Sequence, residues 1–190
     1  MIKATYNDKD LIVTILSKSF ENNLSVNYIA KQDSSRLDRI KYLMDYSFEV
    51  CYMFGAVYLS DDRNACALVL FPEKKKTTLK AILLDVKLIL FTVGIGNISK
   101  ALARESKIKK AYPDNELMYY LWFIGVNPEH QNKGIGTTLL QSLINDSNAL
   151  NRHVFLETST PKNLPWYKKL GFSIYDELDF GYKLYFLKNK

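Results

Sequence analysis

The apolar run Leu117 to Val126 (LMYYLWFIGV) limits this chain more than any other feature, because a glycine-bearing turn and a helical pattern stand directly after it. The run is rich in Tyr, Trp, Phe, Ile and Val and reads as a buried strand. Asn127-Pro128 stops it. Glycines come next at Gly134 and Gly136, and beyond them Leu139, Leu140, Leu143, Ile144 and Leu150 keep a helical spacing. A strand, a turn of this kind and a helix in that order call for a sheet layered against helices.

The remaining elements agree. IKAT near the N-terminus reads as a short strand. Asn7 or Asp8 can cap a helix over about Lys9 to Phe20, with Leu11, Ile12, Ile15 and Leu16 on one face. A second helix is expected from about Ser34 to Phe54. GAVYLS and ACALVLF read as strands joined by the turn DDRN. Helical patterns follow over about Thr78 to Val93 and Ile98 to Lys110, and YPDN closes them. After the central strand and its helix come the strand HVFLETS, a short helix from Leu164 to Leu170, and a hairpin of FSIYDEL and GYKLYFLK. Strands first, then helix, strand, helix and strand, predict an α/β fold with a mixed sheet. A chain of 190 residues fits one domain.

An apolar content of 47% is enough for a sizeable core and excludes a disordered chain. The formal charge of +6 favours anionic ligands. The basic residues are scattered, and the runs Lys74-Lys75-Lys76 and Lys107 to Lys110 read as solvated faces, so no nucleic-acid partner is expected. Cys51 and Cys66 read as reduced core residues and suit a cytoplasmic location. His130, His153 and the two cysteines lack ligand spacing, so no metal is expected. Ala81 to Ile98 is the single membrane candidate. Asp85 and Lys87 interrupt it and Gly94 and Gly96 break it, so a buried or partly buried helix is expected instead, with no membrane partner.

The glycine junction is suited to phosphate. A helix N-terminus presents unpaired amides at the positive end of the backbone dipole. Glycines there let several amides turn toward one ligand. A nucleotide P-loop would need lysine where Thr137 stands, and a dinucleotide fingerprint would need a third glycine where Leu139 stands. A tight turn with no ligand is the competing reading of Gly134 and Gly136 alone.

Gln131-Asn132-Lys133-Gly134-Ile135-Gly136 reads Q-x-x-G-x-G. It resembles the coenzyme A pyrophosphate loop of the GNAT acetyltransferase superfamily, in which the loop follows a strand ending V-x-P, here Val126-Asn127-Pro128. Trp166 to Phe172 (WYKKLGF) is similar to a second landmark of that family. The stretch FLETSTPKNLPWYKKLGF looks most like puromycin N-acetyltransferases and their bacterial relatives. The resemblance covers about Leu117 to Phe172, and the N-terminal half agrees only in its order of elements.

The resemblance implies a GNAT fold, with a mixed, mostly antiparallel central sheet splayed between its fourth and fifth strands and flanked by helices. A bulge commonly causes such parting, and Gly125 is the residue that would permit one. The implied activity is transfer of acetyl from acetyl-CoA to a primary amine by direct attack in a ternary complex, since no cysteine stands in either motif. A small-molecule acceptor is expected. Acetylation of a protein N-terminus or lysine, or a non-catalytic acyl-CoA sensor, are the alternatives, and a homodimer stays open.

The same resemblance assigns roles. Backbone groups of Ile124, Gly125 and Val126 would take the pantetheine arm. Gln131, Asn132, Lys133, Gly134, Ile135, Gly136 and Thr137 would form the pyrophosphate loop, and Asn163 resembles an asparagine that contacts the coenzyme. Tyr167 would protonate the leaving thiolate, its phenol being protonated at neutral pH. Glu157 is the candidate base, with a structural ion pair an equal reading, and Glu116 or bulk water are the other candidates. His130 reads as a turn residue. Trp122, Trp166, Tyr119 and Tyr120 read as core residues that could also line an acceptor pocket.

Overall fold

Seven strands form one sheet in the order β1-β2-β3-β4-β5-β7-β6. They are β1 (Ile2–Lys3), β2 (Gly55–Leu59), β3 (Ala65–Leu70), β4 (Met118–Val126), β5 (His153–Thr158), β6 (Phe172–Asp179) and β7 (Lys183–Asn189). All neighbours are antiparallel except β4 and β5, which run parallel. The computed structural model describes residues 1–113 and 116–189.

Helices cover both faces. One face packs on α1 (Lys9–Phe20) and α3 (Arg36–Phe54), through Ile12, Leu16, Ile40, Met44 and Phe48. The other packs on α6 (Ile135–Ala149) and α7 (Leu164–Lys169), through Leu139, Leu140, Leu143 and Tyr167. Central β3 is buried at all six positions, as expected of a strand with apolar layers on both sides. Tyr58 and Tyr119 both donate to Oδ2 of Asp146, at 2.9 and 2.8 Å, and so tie α6 to β2 and β4.

The N-terminal half departs from the sequence reading in several places. Asp8 holds the N-cap position of α1, one of the two expected, but its side chain makes no cap bond there. It ends a 3-10 turn, accepts from the Thr5 N–H at 2.7 Å and pairs with Arg63. A short helix α2 (Leu24–Ile29) precedes α3, and Asn23 caps it by accepting from the Val26 N–H at 3.1 Å.

Residues 71–117 lie between β3 and β4 and hold α4 (Leu79–Leu88) and α5 (Ile98–Lys110); Asp114 and Asn115 of the expected closing turn YPDN lie outside the described residues. The helix expected over Thr78 to Val93 ends at Leu88, where the wider turn Ile89–Val93 begins, and the two helical arms meet at 98°. α4 is partly buried, one of the two expectations: Ala81 faces the core and Leu84 and Leu88 pack against it, whereas Leu79, Leu83 and Val86, and Leu90 just beyond the helix, are exposed. A buried carboxylate anchors the helix: Glu49 of α3 receives Lys9 and Lys80, each at 2.7 Å, and the Tyr6 hydroxyl at 2.5 Å. Burial alone would raise the Glu49 pKa, but these donors outweigh it and bring the carboxyl down to about 2.

Candidate active site

The sheet is forked at its centre. β4 and β5 pair only from Met118–His153 to Leu121–Leu156, and beyond that point the strands separate. The cause is a bulge in β4, at Trp122 and not at Gly125. Leu68 pairs with Phe123 while the next residue, Val69, pairs with Leu121, leaving Trp122 as the extra residue. Side-chain alternation resets there, so Trp122 and Phe123 both face the α1 layer. Ile124 and Val126 face the α6 layer.

Gly125 has a different reason. A β-carbon at that position would lie 2.9 Å from Leu16 Cδ2 and 3.2 Å from Ser19 Oγ, so glycine lets α1 press against β4. The Ala65 N–H and C=O are both bonded to Ser60, at 2.9 Å each, so Ala65 does not bond its partner Val126. The backbone groups of Val126, and by alternation those of Ile124, therefore point away from β3 and into the fork, while those of Gly125 point to β3. Of the three backbone positions expected at the fork, the structure turns two into it. The Val126 carbonyl also accepts from Ser19 Oγ at 2.7 Å and from Gln131 Nε2 at 3.2 Å. The Gln131 side chain thus serves the loop itself.

Beyond β4, the 3-10 turn Pro128–His130 leads into the glycine loop, and His130 is a turn residue as expected. Asn132 and Gly134 both take left-handed backbone angles, φ 62° and 82°. That alternation curls successive N–H groups toward one side. Gly134 is the residue before α6, which has no side-chain cap. The first amide of the helix to find a partner is that of Thr138, on Gly134 O at 3.0 Å. The amides of Ile135, Gly136 and Thr137 are the uncapped first turn. A β-carbon on Gly136 would sit 3.2 Å from Val126 Cγ2, so this glycine brings the helix tip against the end of β4. Lys133 is exposed at the rim and donates to Glu129 O at 3.3 Å.

α7 abuts this tip. Trp166 donates from Nε1 to Thr137 Oγ1 at 2.9 Å. It therefore braces the loop. Tyr167 is buried among Trp166, Phe172 and the α6 residues, and burial pushes its phenol pKa up. Its hydroxyl makes no hydrogen bond among the described residues and is not a fully buried polar atom. Asn163 stands immediately before α7, with no cap bond from its side chain.

On the other face of the sheet lies Glu157, one residue past the last β4–β5 pair. Tyr112 and Tyr120 both donate to its Oε1 at 3.1 Å. Burial raises its carboxyl to about 7, opposed by the charge of Arg104 and by the two phenols. No ion pair reaches it within 4 Å among the described residues, so the structural-pair reading is not met. Trp122 stacks near Tyr120, with centroids 6.5 Å apart, and meets Tyr46 edge-on at 6.2 Å. Tyr119 points to the opposite face. Glu116 is engaged with Lys188 at 2.6 Å, and His153 is exposed at the start of β5. Cys51 and Cys66 are buried free thiols.

Sequence reasoning did not find Tyr112, Arg104 or Ser19. Tyr112 falls in the segment read as a closing turn. Arg104 is a buried arginine that bonds Tyr182 at 3.1 Å and Ser25 at 2.6 Å, and nothing in α5 marks it.

Residues 107–172 match the model of the acetyltransferase (GNAT) family. The fold is that of solved structures covering nearly the whole chain. One, from Corynebacterium glutamicum, is described as histone acetyltransferase HPA2 and related acetyltransferase. It is 17% identical over 99% of this chain and 94% of its own, with a TM-score of 0.73. The C-terminal condensation domain of Ebony, in complex with beta-alanyl-dopamine, is 10% identical over 99% of this chain and 96% of its own, with a TM-score of 0.72. An N-acetyltransferase from Staphylococcus aureus is 17% identical over 98% and 97%, with a TM-score of 0.58. At such identities the likeness is one of fold: a GNAT fold, with one forked seven-stranded mixed sheet flanked by helices.

Proposed function

We propose that this chain is an N-acetyltransferase that moves an acetyl group from acetyl-CoA to the primary amine of a small molecule. The observation that carries the reading is the fork. It has an uncapped helix tip at one end, an unpartnered phenol on one face and a carboxyl titrating near 7 on the other. The match over residues 107–172 supports the same class.

The pyrophosphate of acetyl-CoA sits on the amides from Asn132 to Thr137, with Lys133 adding charge. The pantetheine arm runs along the β4 edge at Ile124 and Val126 as an added strand. The thioester then lies in the gap, where a β4 N–H donates to the carbonyl oxygen as it gains negative charge. The acceptor arrives as an ammonium and must lose a proton. Glu157 takes it, directly or through water, because a carboxyl titrating near 7 is ionised in part at neutral pH yet still basic. The amine nitrogen attacks the acetyl carbon, the C–S bond breaks, and the thiolate takes its proton from Tyr167. The phenolate recovers one from the acetylated nitrogen through water, which leaves a neutral amide, and Glu157 releases its own proton to solvent. A carboxyl held by Tyr112 and Tyr120, with Trp122 stacked near Tyr120, suits a small amine, and the resemblance of the stretch from Phe155 to Phe172 supports the same choice.

A panel of amines, scored for release of free coenzyme A thiol in the presence of acetyl-CoA, tests this. Amine-dependent release is the expected result. No release from any amine, together with no thermal stabilisation by acetyl-CoA, would refute it.

A further inference from the structure

We propose that the outward face of α4, with the bend at its C-terminal end, docks on an anionic lipid surface. The proposal is independent of the acetyl-transfer reading and departs from the expectation of no membrane partner.

Two properties coincide on the segment between β3 and β4. The first is exposed apolar surface. Leu79 is 83% exposed, Leu83 62%, Ile95 73% and Leu102 64%, and Ile82, Val86, Leu90 and Phe91 are also exposed. Leu79, Leu83, Val86 and Leu90 are spaced by four, three and four residues, which puts them in one stripe along the helix. Ala81 faces inward and fixes which side is left out. A contiguous face of this kind marks an interaction site.

The second property is charge. Residues 72–112 hold ten Lys and Arg against three acidic residues, an excess of seven. The whole chain carries +6, so its positive charge resides on this segment. All three acidic side chains are already engaged. Glu73 pairs with Arg152 at 2.7 Å, Glu105 with Lys109 at 3.5 Å, and Asp85 accepts from Tyr46 at 2.8 Å. Lys75, Lys76 and Lys87 enter no ion pair among the described residues.

Together these choose the occupant. A second copy of the chain docked by the same face would set two basic rims against each other, and within residues 72–112 every acidic side chain is already engaged. Nucleic acid would satisfy the lysines and leave the aliphatic stripe in water. A bilayer interface with anionic headgroups takes both, with leucines entering the acyl boundary and lysines at headgroup level. Among the described residues no single helix is long and apolar enough to cross a membrane, and the two arms Leu79–Val93 and Ile95–Lys110, which reach that length and apolarity only together, meet at 98°; the proposed contact is therefore interfacial.

The test is co-sedimentation of the whole chain with vesicles of phosphatidylcholine alone and of phosphatidylcholine mixed with phosphatidylglycerol. Binding to the mixed vesicles that weakens as salt rises is expected. The double variant Leu83→Glu and Leu90→Glu should lower that binding by about tenfold or more. Lys75→Gln with Lys76→Gln should weaken it and flatten its salt dependence. All four residues are exposed, so the melting temperature should not change and serves as the control for folding. Absence of binding to either vesicle overturns the proposal, as does binding indifferent to the leucine changes. A concentration-dependent dimer that the leucine changes dissolve would assign the face to a second copy and overturn it equally.

Discussion

The hydroxyl of Tyr112 donates to Oε1 of Glu157 at 3.1 Å, across 45 positions of the chain. It brings the segment between β3 and β4 onto the end of β5, and Tyr120 donates to the same oxygen from β4. With Oε1 held by two phenols, Oε2 is left to take a proton. The pair thus orients the carboxylate and stabilises its charged form, against the burial that raises its pKa.

Replacing Tyr112 by Phe removes one of those donors. The acidic limb of the pH profile of kcat/KM should move to higher pH, by on the order of one pH unit, since a hydrogen bond to a charged group contributes about 1.5–3 kcal/mol. A kinetic pH profile of the variant against the parent checks this. A limb that did not move would mean that Tyr112 only fills space.

For Glu157→Gln, kcat should fall by about a hundredfold or more and the limb near pH 7 should vanish. Stability should move the other way. The Glu157 pKa is raised on folding, from 4.5 to about 7, so the folded state binds the proton more tightly than the unfolded chain. The parent therefore loses stability as pH rises from about 4.5 to about 7, and the loss is complete above that window. The variant carries no such cost. Its melting temperature should exceed the parent's by about 2–4 °C or more at pH 8 and converge with it near pH 4.5, read by thermal unfolding at both values.

Tyr167→Phe keeps the buried ring and removes only a hydroxyl that bonds nothing among the described residues. Thermal stability and acetyl-CoA affinity should stay within about 0.5 kcal/mol of the parent, as for other changes that leave packing intact. Acetyl transfer should drop by about a hundredfold. Wild-type turnover in this variant would remove Tyr167 from the mechanism.

Gly136→Ala and Gly125→Ala should separate binding from folding. At 136 the new methyl meets Val126 Cγ2 at 3.2 Å beside the uncapped amides. The Kd for acetyl-CoA should rise about tenfold, which is about 1.4 kcal/mol, measured by isothermal titration. At 125 it meets Leu16 Cδ2 at 2.9 Å inside the core. That overpacking should cost about 1–3 kcal/mol of stability in urea unfolding.

What the sequence determined by itself was local. Period and turn chemistry locate β4, the glycine loop, α6, β5 and α7, because an apolar run, a proline stop and paired glycines act within a few residues of where they stand. The uncapped helix tip was legible for the same reason, whereas Tyr167 was singled out by the resemblance of WYKKLGF to a family landmark, and its role belongs to the proposal. The fork's cause was not. Whether Trp122 or Gly125 is the extra residue depends on how β3 pairs with β4, and both strands are apolar throughout. The carboxyl of Glu157 and the two phenols that hold it come from three separate segments, and a pKa raised by burial exists only once those segments close around it. The outward face of α4 was also beyond the sequence. Its leucines fit a buried helix as well as an exposed one, and only the packing of Ala81 inward decided which side meets water.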